Sequence, residues 1–201
     1  MRPPDTDTFS EFARIRGCTL CPHLGRPPAL GAPPQTRCPV MLVGEAPGRL
    51  GAGRTGRPFV GDEAGRRLDG FLERAGLARE EVFVTNAVLC LPLDARGRNR
   101  RPTATELRAC SQHLQRQIEV LDPALVVAMG TTALAGLALV APHGRTLRDG
   151  TGAAPWSGRR LAVVHHPGRR STLHRRLSDQ EADWRALGEV VSALPGSPSR
   201  A

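Results

Sequence analysis

Apolar residues recur along the chain in two alternating patterns, short uninterrupted runs and longer segments with helical spacing. The runs are rich in valine, leucine and alanine, as in strands buried on both faces of a sheet. The predicted strands that contain these runs span residues 40–44, 82–88, 124–129 and 160–166. Between them, apolar residues return every three or four positions, as on the inner face of an amphipathic helix. This alternation predicts an α/β fold with a central four-stranded parallel sheet flanked by helices on both faces.

The first helical segment begins at about residue 8. The others span about residues 62–75, 103–121, 131–140 and 178–193. Their expected inward residues are Phe9, Phe12 and Ile15 in the first, Leu68, Phe71 and Leu72 in the second, and Trp184, Leu187 and Val191 in the last. Gly76 is expected to end the second helix, and Thr103 or Thr105 to cap the third. Residues 1–7 and 195–201 are expected to be disordered, which leaves a single domain over 8–194.

The segment from Pro123 to Pro142 carries no charge and is about long enough to be weighed as a membrane span. We interpret it instead as a strand, a turn at Gly130 and a short helix, because Thr131 and Thr132 supply an N-cap in its middle. The amino terminus also lacks the apolar segment of a signal peptide. We therefore expect a cytoplasmic protein with no membrane attachment.

The formal charge of +9 comes mostly from arginine, which favours a polyanionic partner and nucleic acid first. An arginine-rich composition is also typical of GC-rich genomes, so the charge alone does not decide between these explanations. The five cysteines are too unevenly spaced for a disulfide framework.

Polar residues follow three of the predicted strands. Glu45 comes after the first strand, Asn86 lies near the end of the second, and His166 ends the fourth. In a parallel sheet these ends share one edge, where open α/β sheets bind ligands. The glycine-rich loop from Gly44 to Gly61 lies at the same edge. Purely structural roles are the alternative, with Asp62 as the N-cap of its helix and Glu45 or Asn86 bonded to neighbouring backbone.

Cys18 and Cys21 form a CxxC pair, and Cys90 and Cys110 stand twenty positions apart. Their spacing indicates only four thiolates that share a metal, for which zinc is the default. Cys38 fits neither pair, and we interpret it as a buried or free thiol.

Five short motifs together resemble the uracil-DNA glycosylase superfamily, in particular its iron-sulfur-containing bacterial branches. They are CTLC at 18–21, GEAPG at 44–48, GRPFVGDEAG at 56–65, TNAVLC at 85–90 and HHPG at 165–168. GEAPG and PFVG resemble family four, whereas the long arginine-containing loop and GDEAG resemble family five. HPG departs from the more usual HPS.

The resemblance implies hydrolysis of the N-glycosidic bond of uracil in DNA, after the base is flipped out of the stack. It implies that Gly44, Ala46, Phe59 and Asn86 bind the base, with the ring stacking on it and the amide facing its Watson–Crick edge. His166 would stabilise the departing anion.

The resemblance also implies that an acid orients or deprotonates the attacking water, and we favour Asp62 for this role, with Glu45 as the second choice. It implies a four-iron four-sulfur cluster held by Cys18, Cys21, Cys90 and Cys110.

The same resemblance places Arg169, Arg170 and Arg175 against DNA, single- or double-stranded, with the protein acting as a monomer. The alternative function is a catalytically weak DNA-binding module of the same fold. A nucleotide-binding enzyme is disfavoured because the glycine loop lacks the GxGxxG and GK[ST] patterns.

Overall fold

A five-stranded sheet forms the centre of the computed structural model, which describes residues 6–24, 27–34 and 38–194. Its strands are β1 (Val40–Gly44), β2 (Val82–Asn86), β3 (Leu125–Met129), β4 (Ala154–Trp156) and β5 (Arg159–Val164). The order across the sheet is β2-β1-β3-β5-β4, and only β4 runs antiparallel to its neighbour. The α/β class and the four parallel strands are confirmed. The short edge strand β4 was not predicted.

The described residues form six α-helices around the sheet and its loops, and they are α1 (Thr6–Arg16), α2 (Ala52–Thr55), α3 (Glu63–Ala75), α4 (Ala104–Leu121), α5 (Thr131–Val140) and α6 (Leu177–Ser192). Met41 and Val43 of β1 pack with residues of α1, α4 and α5 on one face. Val40 and Leu42 pack with residues of α3 and α6 on the other. Both faces are therefore buried, which explains why the strands are apolar without alternation.

The helix ends mostly follow the predicted caps. The Asp62 carboxylate accepts a hydrogen bond from the Gly65 N–H at 2.9 Å, and Gly76 ends α3 in the left-handed region with φ of 62°. Thr103 caps α4 in a capping box with Glu106. The expected threonine cap of α5 is wrong, because Gly130 occupies the N-cap position and no side chain caps that helix.

The predicted inward faces are confirmed except at one position. Phe12 and Ile15 are fully buried, whereas Phe9 is 51% exposed. The chain segment taken for a possible membrane span contains α5, which is only ten residues long. Across the described ranges, no helix is both long enough and apolar enough to cross a membrane. Residues 1–5 and 195–201, predicted to be disordered, lie outside the described residues, and residues 6 and 7 belong to α1.

Candidate active site and cysteine cluster

A cavity of about 220 Å³ opens at the carboxyl ends of β1, β2 and β5. The predicted residues that line it are Glu45, Ala46, Phe59, Asp62, Asn86 and His166. Gly44 lies beneath them, since a Cβ atom there would fall 2.5 Å from both the Asn86 side-chain oxygen and the Phe59 ring. The volume is below the roughly 300–1,000 Å³ of pockets for drug-sized ligands, so the cavity suits a single small ring.

Phe59 adopts a left-handed backbone conformation with φ of 54°, and its ring is 8% exposed. Gly65 of α3 packs so closely against the Phe59 carbonyl that a side chain there would overlap it. The ring centroid lies 5.5 Å from that of His166, with the planes tilted by 41°. The glycine contact therefore holds a strained residue whose ring forms one wall of the cavity.

Asn86 is 1% exposed, and its side-chain oxygen accepts no hydrogen bond from the described part of the chain. Its position follows from strand register, because it pairs with Gly44 at the ends of β2 and β1. An unpaired buried acceptor costs about 1–3 kcal/mol, so such atoms in native proteins call for an explanation. A ligand whose hydrogen-bond donor bonds to the Asn86 oxygen would provide that explanation.

His166 has a defined tautomer. The Gly168 N–H donates to its Nδ1 at 2.9 Å, which leaves Nε2 to carry the ring proton. Burial lowers the pKa of His166, although the nearby carboxylates of Glu45 and Asp62 oppose this shift. The ring is therefore a neutral hydrogen-bond donor at pH 7. His165, as expected, does not line this cavity, and its charged neighbours include Arg175 and Asp183.

The two acids are held in different ways. One Asp62 oxygen caps α3, and the other faces Gly51 and Gly48 in the glycine-rich loop. Asp62 is thus both the helix cap and a cavity residue. The Glu45 carboxylate instead accepts a hydrogen bond from the Thr132 hydroxyl at 2.6 Å.

Three polar side chains near the cavity were not predicted as part of it. Asn99 and Arg100 line it from a hairpin-like turn after β2, and the Asn99 side-chain oxygen accepts the Arg49 N–H at 2.9 Å. Thr132 reaches it from the start of α5. Their contacts join positions far apart in sequence, so no local pattern announces them.

Arg100 also connects the cavity to the amino-terminal segment. Its guanidinium donates two hydrogen bonds to Glu106, which also accepts from the Thr103 N–H and contacts the His23 ring. The Arg100 bonds are the main reason that the pKa of Glu106 falls to about 2. The Glu106 carboxylate therefore links the turn that contains Arg100, the start of α4 and the segment that contains His23.

The four predicted ligand cysteines, Cys18, Cys21, Cys90 and Cys110, line one small cavity beside α4. Burial, and then the neighbouring thiols, raise the pKa of Cys90 to about 11 and of Cys110 to about 12. Cys38 is buried in the core, and all five thiols are free.

A single zinc ion requires its sulfur ligands at about 2.3 Å from one point. In the residues that the structure describes, no group of three or more His, Cys, Asp or Glu side chains is arranged to hold one metal ion. The same small cavity nonetheless contains the four thiols, together with the imidazole of His113, whose Nε2 lies 3.0 Å from the Cys18 sulfur. Four cysteine thiolates are the ligand set with which proteins hold iron–sulfur clusters.

The predicted DNA-contacting arginines differ in their environment. Arg169 and Arg170 are exposed in a short turn after His166, beside Leu173, which is 80% exposed. Arg175 is instead paired with both oxygens of Asp183, at 2.5 and 2.6 Å. Its guanidinium is therefore partly satisfied within the chain.

A family model described as the uracil DNA glycosylase superfamily matches residues 30–188. The chain is similar to a type-4 uracil-DNA glycosylase of Thermotoga maritima, 41% identical over 60% of each chain. A type-4 uracil-DNA glycosylase of Pyrobaculum aerophilum is 37% identical over 76% of this chain and 79% of its own. A type-5 uracil-DNA glycosylase of Thermus thermophilus is 32% identical over 82% and 88%. The match thus spans somewhat less than two thirds of the Thermotoga protein and most of the other two. The chain belongs to the uracil DNA glycosylase superfamily.

Proposed function

We propose that the protein hydrolyses the N-glycosidic bond of uracil in DNA and leaves an abasic site for base excision repair. The observation that carries this proposal is the convergence of Phe59, Asn86 and His166 with two carboxylates on one cavity the size of a single base. The glycosidic bond of a base that stays within the stack cannot be reached by such a cavity, so the nucleotide must be everted.

Recognition of the base would rest on a ring and an amide. Stacking on Phe59 contributes about 1–3 kcal/mol per base and does not depend on sequence. The Asn86 amide offers an acceptor and a donor, which match the N–H and the adjacent carbonyl on the Watson–Crick edge of uracil. The unpaired Asn86 oxygen would gain the partner that it lacks in the free protein.

Bond cleavage leaves negative charge on the departing base and positive charge on the sugar. The Nε2–H of neutral His166 and the backbone N–H groups of the 44–48 loop would stabilise the base anion. Asp62 and Glu45 would orient water and offset the charge on the sugar. We place Asp62 first, because its second oxygen faces the loop while the first is fixed by the helix cap.

Substitution of the two acids tests this mechanism. Asp62→Asn and Glu45→Gln are each expected to slow single-turnover cleavage of a uracil-containing oligonucleotide by roughly 100-fold or more. Asparagine caps a helix as well as aspartate does, so Asp62→Asn keeps the start of α3. Glu63→Gln, at the exposed neighbour, is the matched control. Full activity in both acid variants would contradict the assignment. A protein that retains the uracil-containing strand without producing alkali-sensitive sites would support the alternative, a catalytically weak binding module.

We further propose that Cys18, Cys21, Cys90 and Cys110 hold a four-iron four-sulfur cluster. When bound, the cluster would cross-link the amino-terminal segment to the chain after β2. The buried thiols of Cys90 and Cys110 would lose their protons on binding, because a coordinating thiol is deprotonated outright. Anaerobic preparations should be brown and contain about four iron atoms per chain. Cys110→Ala should lose the iron and Cys38→Ala should keep it, whereas a colourless zinc protein would refute the proposal.

The partner would be DNA, bound through the turn that carries Arg169 and Arg170. Their side chains are exposed, and Leu173 between the basic residues is an apolar side chain of the kind that enters gaps in base stacks. Arg175 donates to both oxygens of Asp183, and we propose that it gives up one of these hydrogen bonds when it contacts a phosphate. The expected monomer and the expected cytoplasmic location stay predictions, and size-exclusion chromatography with light scattering tests the first.

A further inference from the structure

The start of α5 places a buried hydroxyl against one of the two cavity acids. Thr132 is 9% exposed, and its Oγ1 lies 2.6 Å from Oε2 of Glu45. A hydroxyl next to a carboxylate donates, and this distance is in the range of charge-assisted O–H···O⁻ bonds. No other hydrogen-bond donor in residues 6–24, 27–34 and 38–194 reaches the Glu45 carboxylate.

The local fold leaves this hydroxyl free for Glu45. Gly130, with φ of 96°, turns the chain from β3 into α5 and occupies the N-cap position without a side-chain cap. Thr131 points to solvent, whereas Thr132 points inward. Thr132 is the second residue of α5, past the N-cap position, and its hydroxyl bonds instead to a residue 87 positions away in sequence.

We propose that Thr132 is a positioning residue, which fixes the Glu45 carboxylate toward the everted nucleotide and thereby sets the rate of glycosidic bond cleavage. This inference rests on the proposed function. With Oε2 held by the hydroxyl, Oε1 remains to accept a hydrogen bond from the attacking water. Without the hydroxyl, the glutamate side chain rotates among its rotamers and holds that water for a smaller fraction of the time.

Two substitutions at the same position test the role of the hydroxyl. Thr132→Val keeps the shape and removes the donor, and it should lower the single-turnover rate by roughly 10- to 100-fold, as expected for a hydrogen bond to a charged group. Thr132→Ser keeps the donor and should restore most of the rate. Thr131→Val, at the exposed neighbour, should cleave at the rate of the unmodified protein. Inhibition by free uracil should be unchanged in all three, because the base-binding side chains are intact.

A double-substitution cycle separates positioning from a general effect on folding. In a Glu45→Gln background, Thr132→Val should slow cleavage no further, since the carboxylate that it positions is gone. Thr132→Ala gives the same comparison with less bulk, and circular dichroism confirms that each variant is folded at the assay temperature.

The outcomes distinguish the inference from the function on which it rests. If the unmodified protein cleaves and Thr132→Val cleaves equally fast, the inference is wrong and the proposed function stands. If Thr132→Val slows the Glu45→Gln protein as much as the unmodified one, Thr132 acts independently of Glu45 and the inference is again wrong. If the unmodified protein leaves uracil in place, both fail together.

Discussion

Asn86→Leu should separate the stability of the free protein from its activity. The Asn86 side-chain oxygen is buried and has no hydrogen-bond partner among the residues that the structure describes, which costs about 1–3 kcal/mol. Leucine has a similar branched shape and no polar atom, so the substitution removes this cost without opening a large cavity. The base-binding amide disappears at the same time.

The expected changes in stability and in cleavage rate have opposite signs and different sizes. For a domain of about 200 residues, each kcal/mol shifts the melting temperature by roughly 2–4 °C, so the variant should melt several degrees higher. Uracil in the variant cavity would leave its own donor and acceptor unpaired. Sites built to hydrogen-bond a ligand lose about 10⁴-fold when one partner is missing, and we expect a loss on the order of 10³-fold or more in cleavage.

Thr85→Val is the contrasting control, because Thr85 is equally buried on β2 but donates to the Gln117 side-chain oxygen at 2.8 Å. It should lower the melting temperature, since Gln117 is left with an unpaired buried oxygen. Calorimetry and single-turnover cleavage on the same preparations measure both quantities. If both variants melt below the unmodified protein by similar amounts, the argument that Asn86 is held unpaired for a ligand is refuted.

Four other variants test further contacts. The folded-state pKa of Glu106 is lowered from 4.5 to about 2, so its stabilisation is present above about pH 4.5 and is lost as the pH falls toward 2. Glu106→Gln should therefore reduce the free energy of unfolding at pH 7 by about 2–3 kcal/mol and flatten its decline below pH 4.5, as urea titrations would show. Gly65→Ala places a methyl group against the carbonyl that Gly65 contacts and should destabilise α3 by about 1–3 kcal/mol with loss of cleavage. Gly70→Ala, with open space around it in the same helix, should instead stabilise by about 0.5–1 kcal/mol. Replacing both Arg169 and Arg170 by serine should lower the slope of log affinity against log salt by up to about 2, and an unchanged slope would contradict their contact with phosphates.

Hydrophobic patterning located β1, β2, β3 and β5 because both of their faces are buried, so each contains at least three successive apolar residues. β4 has no such signal. It is three residues long, contains Pro155 and pairs only at the sheet edge. Phe9 lies three positions before Phe12, yet the covered face of α1 runs from Thr8 through Phe12 to Ile15, and Phe9 lies on its flank. The apolar spacing did not reveal this, because a polar residue, Thr8, occupies the buried position next to Phe9.

The residues of the cavity were likewise only partly predictable from the sequence. Glu45, Asn86 and His166 were predictable because parallel topology alone brings strand ends to one edge. Asn99 and Thr132 were not, because they reach the cavity through contacts with positions 50 and 87 residues away.

Asp62 shows why a structural and a functional role are not alternatives at this site. One of its oxygens is fixed by the Gly65 N–H, and that bond determines the plane of the carboxylate. The other oxygen is thereby directed at Gly51 and Gly48. Gly65, in the first turn of α3, also packs against the Phe59 backbone, which leaves no room for a side chain at position 65. One helix turn therefore sets both the proposed acid and the proposed stacking ring, so a change that loosens this turn should impair both roles together.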